Sequence, residues 1–412
     1  MSEKKEFNRW LLVVGALLIQ LCLGAIYAWS VFRKPLEEQF GISETEASLP
    51  FSIVLIFFAL AVVLGGKLQD RFGPRIIAVS GGILLAAGML GASLSTEIVG
   101  LVLSYGVLSG IGIGMAYVCP IAALVKWFPD KRGLITGLAV AGFGAGAMIV
   151  GPLAQSMIES IGVQTTFRIL GIVYLVVVTI GGLILRNPPA GYVPAGWTPP
   201  EPAAGGPSGA DFTVTGMLGT SQFWVIWLLY LAGCGAGLMI IGQTSPIAQE
   251  LAGYTAAQAA LGVSVLAIFN AFGRIFWGKV SDSIGRVKTL FIMYLLNGLA
   301  ILGYFMIPTI PLYFWLGIAI VGATFGGYLA LYPAVTADFY GTSNVGLKYG
   351  LVFLAYGVGG LLANILAPQV REVLGSYNLA FAITGGLCII AAFVILVVKP
   401  PAAPAEASAK AA

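Results

Sequence analysis

Polar residues punctuate this chain, separating long apolar runs. From residue 9 to residue 398 the runs recur with few charges inside them, centred in 9–33, 47–67, 76–95, 98–126, 133–158, 166–186, 220–249, 255–279, 289–307, 311–338, 345–371 and 376–398. An apolar run of about 20 residues is long enough to cross a hydrocarbon layer as a helix. The pattern therefore predicts an all-α membrane protein with twelve transmembrane helices. Several runs exceed that length, so tilt or extension beyond the bilayer is expected. The first run is longer than a signal-peptide core and has no clear A-x-A cleavage site, so it reads as the first span.

One stretch breaks the rhythm. Residues 187–211, "NPPAGYVPAGWTPPEPAAGGPSGAD", hold seven prolines and five glycines and cannot pack as a regular element. It divides the chain into an N-terminal six-helix half (1–186), a linker (187–219), a C-terminal six-helix half (220–398) and a short tail (399–412).

Composition agrees with this reading. Hydrophobic residues make up 58% of the 412 and charged residues 9%, where a soluble domain carries about 25% charged. Too few charges remain to cover a soluble surface. Of the 21 Lys and Arg, 16 fall at the termini or in loops on the terminal side, and only Arg33, Lys34, Arg168 and Arg371 fall on the other side. Short cytoplasmic loops retain positive charge, so both termini are expected in the cytoplasm, with the chain in the inner membrane. There is no histidine, and the four cysteines are scattered through apolar runs. That leaves no metal spacing and no disulfide framework. The spans offer no paired acid and base, so an enzyme is not expected, nor any cofactor or nucleic-acid partner.

The missing member of the positive set is Arg274, inside the eighth run in "AIFNAFGRIFWGKVSD". A charge within a span is costly and usually faces a pathway or cavity. An arginine five residues from Lys279 also has the option of snorkelling to the interface. Asn270, one turn deeper on the same helix face, favours the inward reading. The 17 acids fall in loops, termini or last turns of spans, so the natural counter-ion is a guest. Arginine does not lose its proton, and its planar fork suits one carboxylate. Aromatic candidates at similar depth are Tyr27, Tyr117, Phe325, Tyr328, Tyr332 and Tyr356. For each tyrosine, a site role and a place in an interfacial belt or helix seam both remain open.

The halves echo each other. "GGKLQDRFGPR" at 65–75 and "WGKVSDSIGRVK" at 277–288 align Gly66, Lys67, Asp70 and Gly73 with Gly278, Lys279, Asp282 and Gly285 at a constant offset of 212. With twelve spans and a central linker, this motif resembles the major facilitator superfamily. The resemblance implies gating roles for Asp70 and Arg71 in one half and for Asp282 and Arg286 in the other. "KWFPDKRGLITGLAVAG" at 126–142 is similar to the monocarboxylate transporter signature through Lys126, Phe128, Lys131, Arg132, Leu134, Gly137, Leu138, Ala139, Ala141 and Gly142. Arg274 matches that family's substrate arginine. "GAIYAWSVF", "WFPDKRG", "RIFWGKVSD" and "TFGGYLALYP" resemble bacterial oxalate:formate antiporters, with Tyr356 where those proteins carry a lysine.

Together these readings imply a secondary transporter of small monocarboxylates of the lactate and pyruvate class. Coupling to a proton is the first reading and carboxylate exchange the alternative. The expected substrate-binding set is Arg274, Asn270, Tyr117, Tyr328, Tyr332, Phe325, Tyr356 and Tyr27. The expected partners are the acid, a co-transported proton and the lipid bilayer.

Overall fold

The computed structural model describes residues 8–128, 132–189, 192–194, 212–306, 311–341 and 345–401. Most of the Pro/Gly-rich linker, residues 1–7 and the tail beyond 401 lie outside the described residues. So do the side chains of Asp70, Lys131, Arg132, Leu134 and Gly137.

Twelve helices among the described residues are long and apolar enough to span a membrane. They are α1 (Trp10–Phe40), α2 (Glu44–Gln69), α3 (Pro74–Leu94), α4 (Ile98–Leu124), α5 (Leu138–Ile161) and α6 (Val163–Ile184) in the first half. The second half has α7 (Ser221–Leu251), α8 (Ala256–Ile284), α9 (Arg286–Gly303), α10 (Leu312–Tyr340), α11 (Leu347–Leu374) and α12 (Asn378–Val397). An even number of spans places both ends of the described chain on one face, called here the terminal face.

Local chemistry sets the helix ends, and it repeats. α2 starts at a capping box in which the Ser43 hydroxyl accepts from the Glu46 amide, and its helix stops at Gly73 with φ 84°. α8 starts at the equivalent box of Thr255 and Gln258 and stops at Gly285 with φ 88°. Ser43 and Thr255, Glu46 and Gln258, and Gly73 and Gly285 are each 212 residues apart. The repeat seen in the loop motif therefore extends to the opposite end of the same helix. A left-handed φ is open to glycine at little cost, which explains why both motifs end on one.

α1 is interrupted after Gly24 by a 3-10 turn, Ala25–Ala28. It is this turn that carries Tyr27. The halves meet along two long seams, α2 on α11 and α5 on α8. Glycines allow the approach. A side chain at Gly357 of α11 would come within 2.8 Å of Ala59 and 3.1 Å of the Ile56 Cα, and one at Gly144 of α5 within 3.1 Å of the Ala271 backbone. Close backbone contact of this kind supplies the dispersion energy that holds membrane helices together, because lipid gives no hydrophobic drive between them.

Charge locks the face opposite the termini. Lys34 of α1 reaches Glu250 of α7 at 3.4 Å, and Arg371 of α11 holds the other oxygen of Glu250 at 3.0 Å. The fully buried Arg33 binds Glu37 at 2.7 Å and Glu44 at 2.6 Å, and two of its nitrogens approach the Tyr377 hydroxyl at 3.4 Å. The Thr45 amide donates to Glu372 at 2.5 Å. Three of these contacts join one half to the other, so the structure is closed at this face. At the terminal face Arg286 pairs with Asp282 at 2.7 Å and Asp338 at 3.6 Å, tying the α8–α9 turn to the end of α10 within one half. Arg71 lies over the Phe72 ring at 5.2 Å.

Loss of the cross-half pair should loosen this closure. With Ser52→Cys, a buried position on α2, as reporter, Lys34→Ala and Glu250→Gln are each expected to raise its labelling by a membrane-impermeant maleimide severalfold. Partly buried pairs are worth more than the roughly 0.2–1 kcal/mol of exposed ones. Unchanged labelling in both variants would mean that the seams alone hold the face closed.

Candidate functional site

Arg274 stands on α8 where that helix passes between α5 and α10. The residues around it divide by face. Phe272, Ile275 and Phe276 point outward, while Arg274 is 3% exposed and Asn270 fully buried. The tight fit to α10 explains the orientation. A side chain at Gly326 would lie 3.0 Å from the Asn270 Oδ1, and one at Gly144 would lie 3.2 Å from the same oxygen. Asn270 thus fits between α5 and α10 because both helices have glycine there.

The Arg274 Nε donates to the Asn270 Oδ1 at 3.1 Å. This bond also fixes the amide. Its oxygen is used, so its NH2 group faces the interior. Among the described residues the Arg274 Nη1 and Nη2 and the Asn270 Nδ2 have no hydrogen-bond partner. Arg274 also forms no ion pair among them, and the described carboxylates in ion pairs sit at the two faces. A buried arginine normally comes paired, because an uncompensated charge in a low dielectric costs several kcal/mol. This one keeps both terminal nitrogens free, with the free Asn270 NH2 one turn away, and free donors complement a guest made of acceptors.

Aromatic rings from both halves cluster in the same part of the interior. The titratable neighbours of the guanidinium in the interior are Tyr27, Tyr117, Tyr349 and Cys234. The Tyr117 phenol lies beside it without bringing either terminal nitrogen into hydrogen-bonding geometry. Tyr27 and Tyr356, one from each half, bring their hydroxyls to 3.1 Å. Tyr27 packs edge-on against Phe143 at 5.3 Å and Phe325 at 5.7 Å. Phe325 in turn lies 6.2 Å from Tyr356.

Of the sequence-predicted set, Arg274, Asn270, Tyr27, Tyr117, Phe325 and Tyr356 therefore converge. Tyr328 and Tyr332 take different neighbours. The Tyr332 ring stacks on Tyr230 at 4.0 Å, and its hydroxyl lies 2.7 Å from that of Tyr294 on α9. Tyr328 packs on Tyr294 at 4.7 Å. Both belong to a tyrosine cluster inside the second half. Of the gating set, Asp282 and Arg286 are paired as described above, Arg71 lies at the terminal face, and the side chain of Asp70 is outside the described residues.

Sequence reasoning missed Phe58, Phe143, Tyr349 and Phe353. Tyr349, Phe353 and Tyr356 stand four and three apart on α11, a spacing that puts them on one face, so part of this wall was available to a periodicity argument. Phe143 and Phe58 carry no such signal. Among the described residues there is no group of three or more metal-ligating side chains.

Comparison with known proteins places the chain in a wider setting. The family profile described as Major Facilitator Superfamily matches residues 10–363 and 253–412. The chain is 30% identical over 391 residues to the oxalate:formate antiporter of Oxalobacter formigenes, covering 92% of this chain and 88% of that one. It is 26% identical over 410 residues to monocarboxylate transporter 12 of Rattus norvegicus, covering 91% and 82%. Among solved structures it superimposes on a D-xylose-proton symporter with a TM-score of 0.75 at 15% identity, over 95% of this chain and 98% of that one. That likeness concerns the fold.

Proposed function

We infer, from the premise that this chain belongs to the Major Facilitator Superfamily and is a transporter rather than an enzyme, that its cargo is a small monocarboxylate bound by Arg274. One observation carries the reading. The Arg274–Asn270 pair presents three orphaned donors, the Arg274 Nη1 and Nη2 and the Asn270 Nδ2, and Arg274 forms no ion pair among the described residues. A carboxylate satisfies the guanidinium fork with two charge-assisted bonds, and the Asn270 amide donates to the same group or to an oxygen on the next carbon. Tyr117, and Tyr27 once it releases Tyr356, are the hydroxyl partners this reading assigns. Phe325 and Tyr356 supply the apolar side for a short carbon tail. With one cation at the site, one carboxylate is compensated and two are not. The curated relatives that carry carboxylates in their names, the oxalate:formate antiporter and the monocarboxylate transporter, support the class.

Transport follows from the two halves. With the site between them near mid-membrane, rocking of one half on the other exposes it to each face in turn. Asp282 and Arg286, with Asp70 and Arg71 in the other half, bias the terminal-face gate. Positive charge concentrated at that face supports a cytoplasmic orientation for it in an inner membrane.

Coupling to a proton is the first reading. The described titratable groups near the guanidinium are phenols and thiols, so the proton travels on the acid itself or by way of Asp70, Asp282 or Asp338. Exchange is the second reading, and the guanidinium without an ion-pair partner among the described residues favours it. Closing the bundle over an uncompensated charge is costly, whereas closing it over a bound acid is not. Proteoliposomes separate the two. Symport predicts lactate uptake into empty vesicles driven only by acid outside. Uptake that appears only when the vesicles hold internal lactate would assign exchange.

A further inference from the structure

Phe58 belongs to neither the sequence-predicted set nor the polar site, yet it has an unusual set of neighbours. Its ring lies 5.3 Å from Tyr117 on α4, 5.7 Å from Phe143 on α5, and 5.7 Å from both Phe353 and Tyr356 on α11. It therefore touches aromatic rings of both halves, among them Tyr117, which faces the guanidinium, and Tyr356, which closes on Tyr27. The side chain is 1% exposed.

Phe58 also has no room to withdraw. On one side, a side chain at Gly114 of α4 would come within 2.5 Å of the Phe58 carbonyl oxygen. On the other, α11 presses on the same stretch of α2 at Gly357, against Ala59 and Ile56. Close-packed backbone on both flanks makes the ring a fixed wall rather than a compliant one. A ring that is fixed and set among the residues around the carboxylate clamp limits how far a guest's tail extends.

We propose that Phe58 sets the upper chain length of the acid that Arg274 holds. This rests on the monocarboxylate reading above and adds the size limit to it. A straight-chain acid clamped at its carboxylate spends each added methylene against the Phe58 wall. Removing the ring opens a space lined by Tyr117, Phe143 and Phe353, in which each newly buried methylene is worth about fourfold in affinity.

The test is displacement of radiolabelled lactate from the purified full-length protein by acetate, propionate, butyrate, pentanoate and hexanoate. In the wild type, hexanoate is expected to compete at least about tenfold less well than propionate. Phe58→Ala and Phe58→Val should improve hexanoate relative to propionate by at least about tenfold, with propionate itself within about threefold of wild type. Phe58→Leu, the mildest change, should move the ratio in the same direction and serves if the smaller variants do not assemble. A wild-type ratio retained in the variants that bind lactate would overturn the size limit while leaving the Arg274 site standing. Failure of all five acids to displace lactate from the wild type would instead count against the monocarboxylate reading itself.

Discussion

Arg274→Ala is expected to weaken lactate binding by at least about a hundredfold, with transport falling in parallel. Charge-assisted hydrogen bonds are worth about 1.5–3 kcal/mol each, and the fork makes two, so the loss falls at roughly 3–6 kcal/mol, beyond two decades in affinity. Arg274→Lys keeps the charge but not the planar fork, and an intermediate loss of about tenfold is expected. The same substitution has a second, opposite effect. Arg274 is buried with its two terminal nitrogens unpartnered among the described residues, so its removal takes away a desolvated charge. The alanine protein is expected to unfold at a higher temperature than the substrate-free wild type. Thermal unfolding in detergent with and without lactate checks both effects. Wild type gains stability with lactate and the variant does not, although the variant starts higher. A purely structural arginine would give the reverse, an unstable variant.

The second large effect is a gain. Tyr356 packs near Phe325 and brings its hydroxyl to 3.1 Å from that of Tyr27, and it stands where the resemblance to oxalate:formate antiporters places a lysine. Tyr356→Lys puts a second cation against the first. Without a guest, two like charges in a low dielectric repel and the protein is destabilised. A dicarboxylate compensates both. Oxalate binding is therefore expected to rise by about a hundredfold over wild type, the scale of one buried charge-assisted contact. Lactate binding should weaken, because a single carboxylate leaves one cation unpaired. Calorimetric titration with oxalate and lactate measures both changes. Equal oxalate affinity in the two proteins would mean that position 356 does not face the guest.

The fold was legible because a bilayer leaves a chain few options. Backbone groups must be satisfied within each segment, so span length and the polar breaks between spans carry nearly all the topology. The repeat at 65–75 and 277–288 pointed to two related halves, and the same offset reappears in the Ser43 and Thr255 caps. Arg274 and Asn270 were legible from helical spacing and from the cost of a charge in an apolar run.

Neighbours were not legible, because periodicity gives a face and not what stands opposite. Phe325 and Tyr332 are seven residues apart and share a face of α10. Phe325 meets Tyr27 and Tyr356, whereas Tyr332, two turns nearer the terminal face, is covered by Tyr230 and held by Tyr294. The lock on the opposite face was invisible for the same reason. Arg33, Lys34 and Arg371 entered the sequence argument only as a charge count. Their partners Glu250 and Tyr377 come from distant helices that topology alone brings together. Phe58 left no trace because one phenylalanine among many in a span is unremarkable until the rings around it are known.

The most direct test compares lactate with lactamide, its neutral near-isostere, by equilibrium binding to the wild type and to Arg274→Ala. If the guanidinium waits for the guest's negative charge, the wild type prefers lactate by at least about a hundredfold and the preference vanishes in the variant. Equal binding of the two compounds by the wild type, or a preference that survives loss of Arg274, would contradict the account.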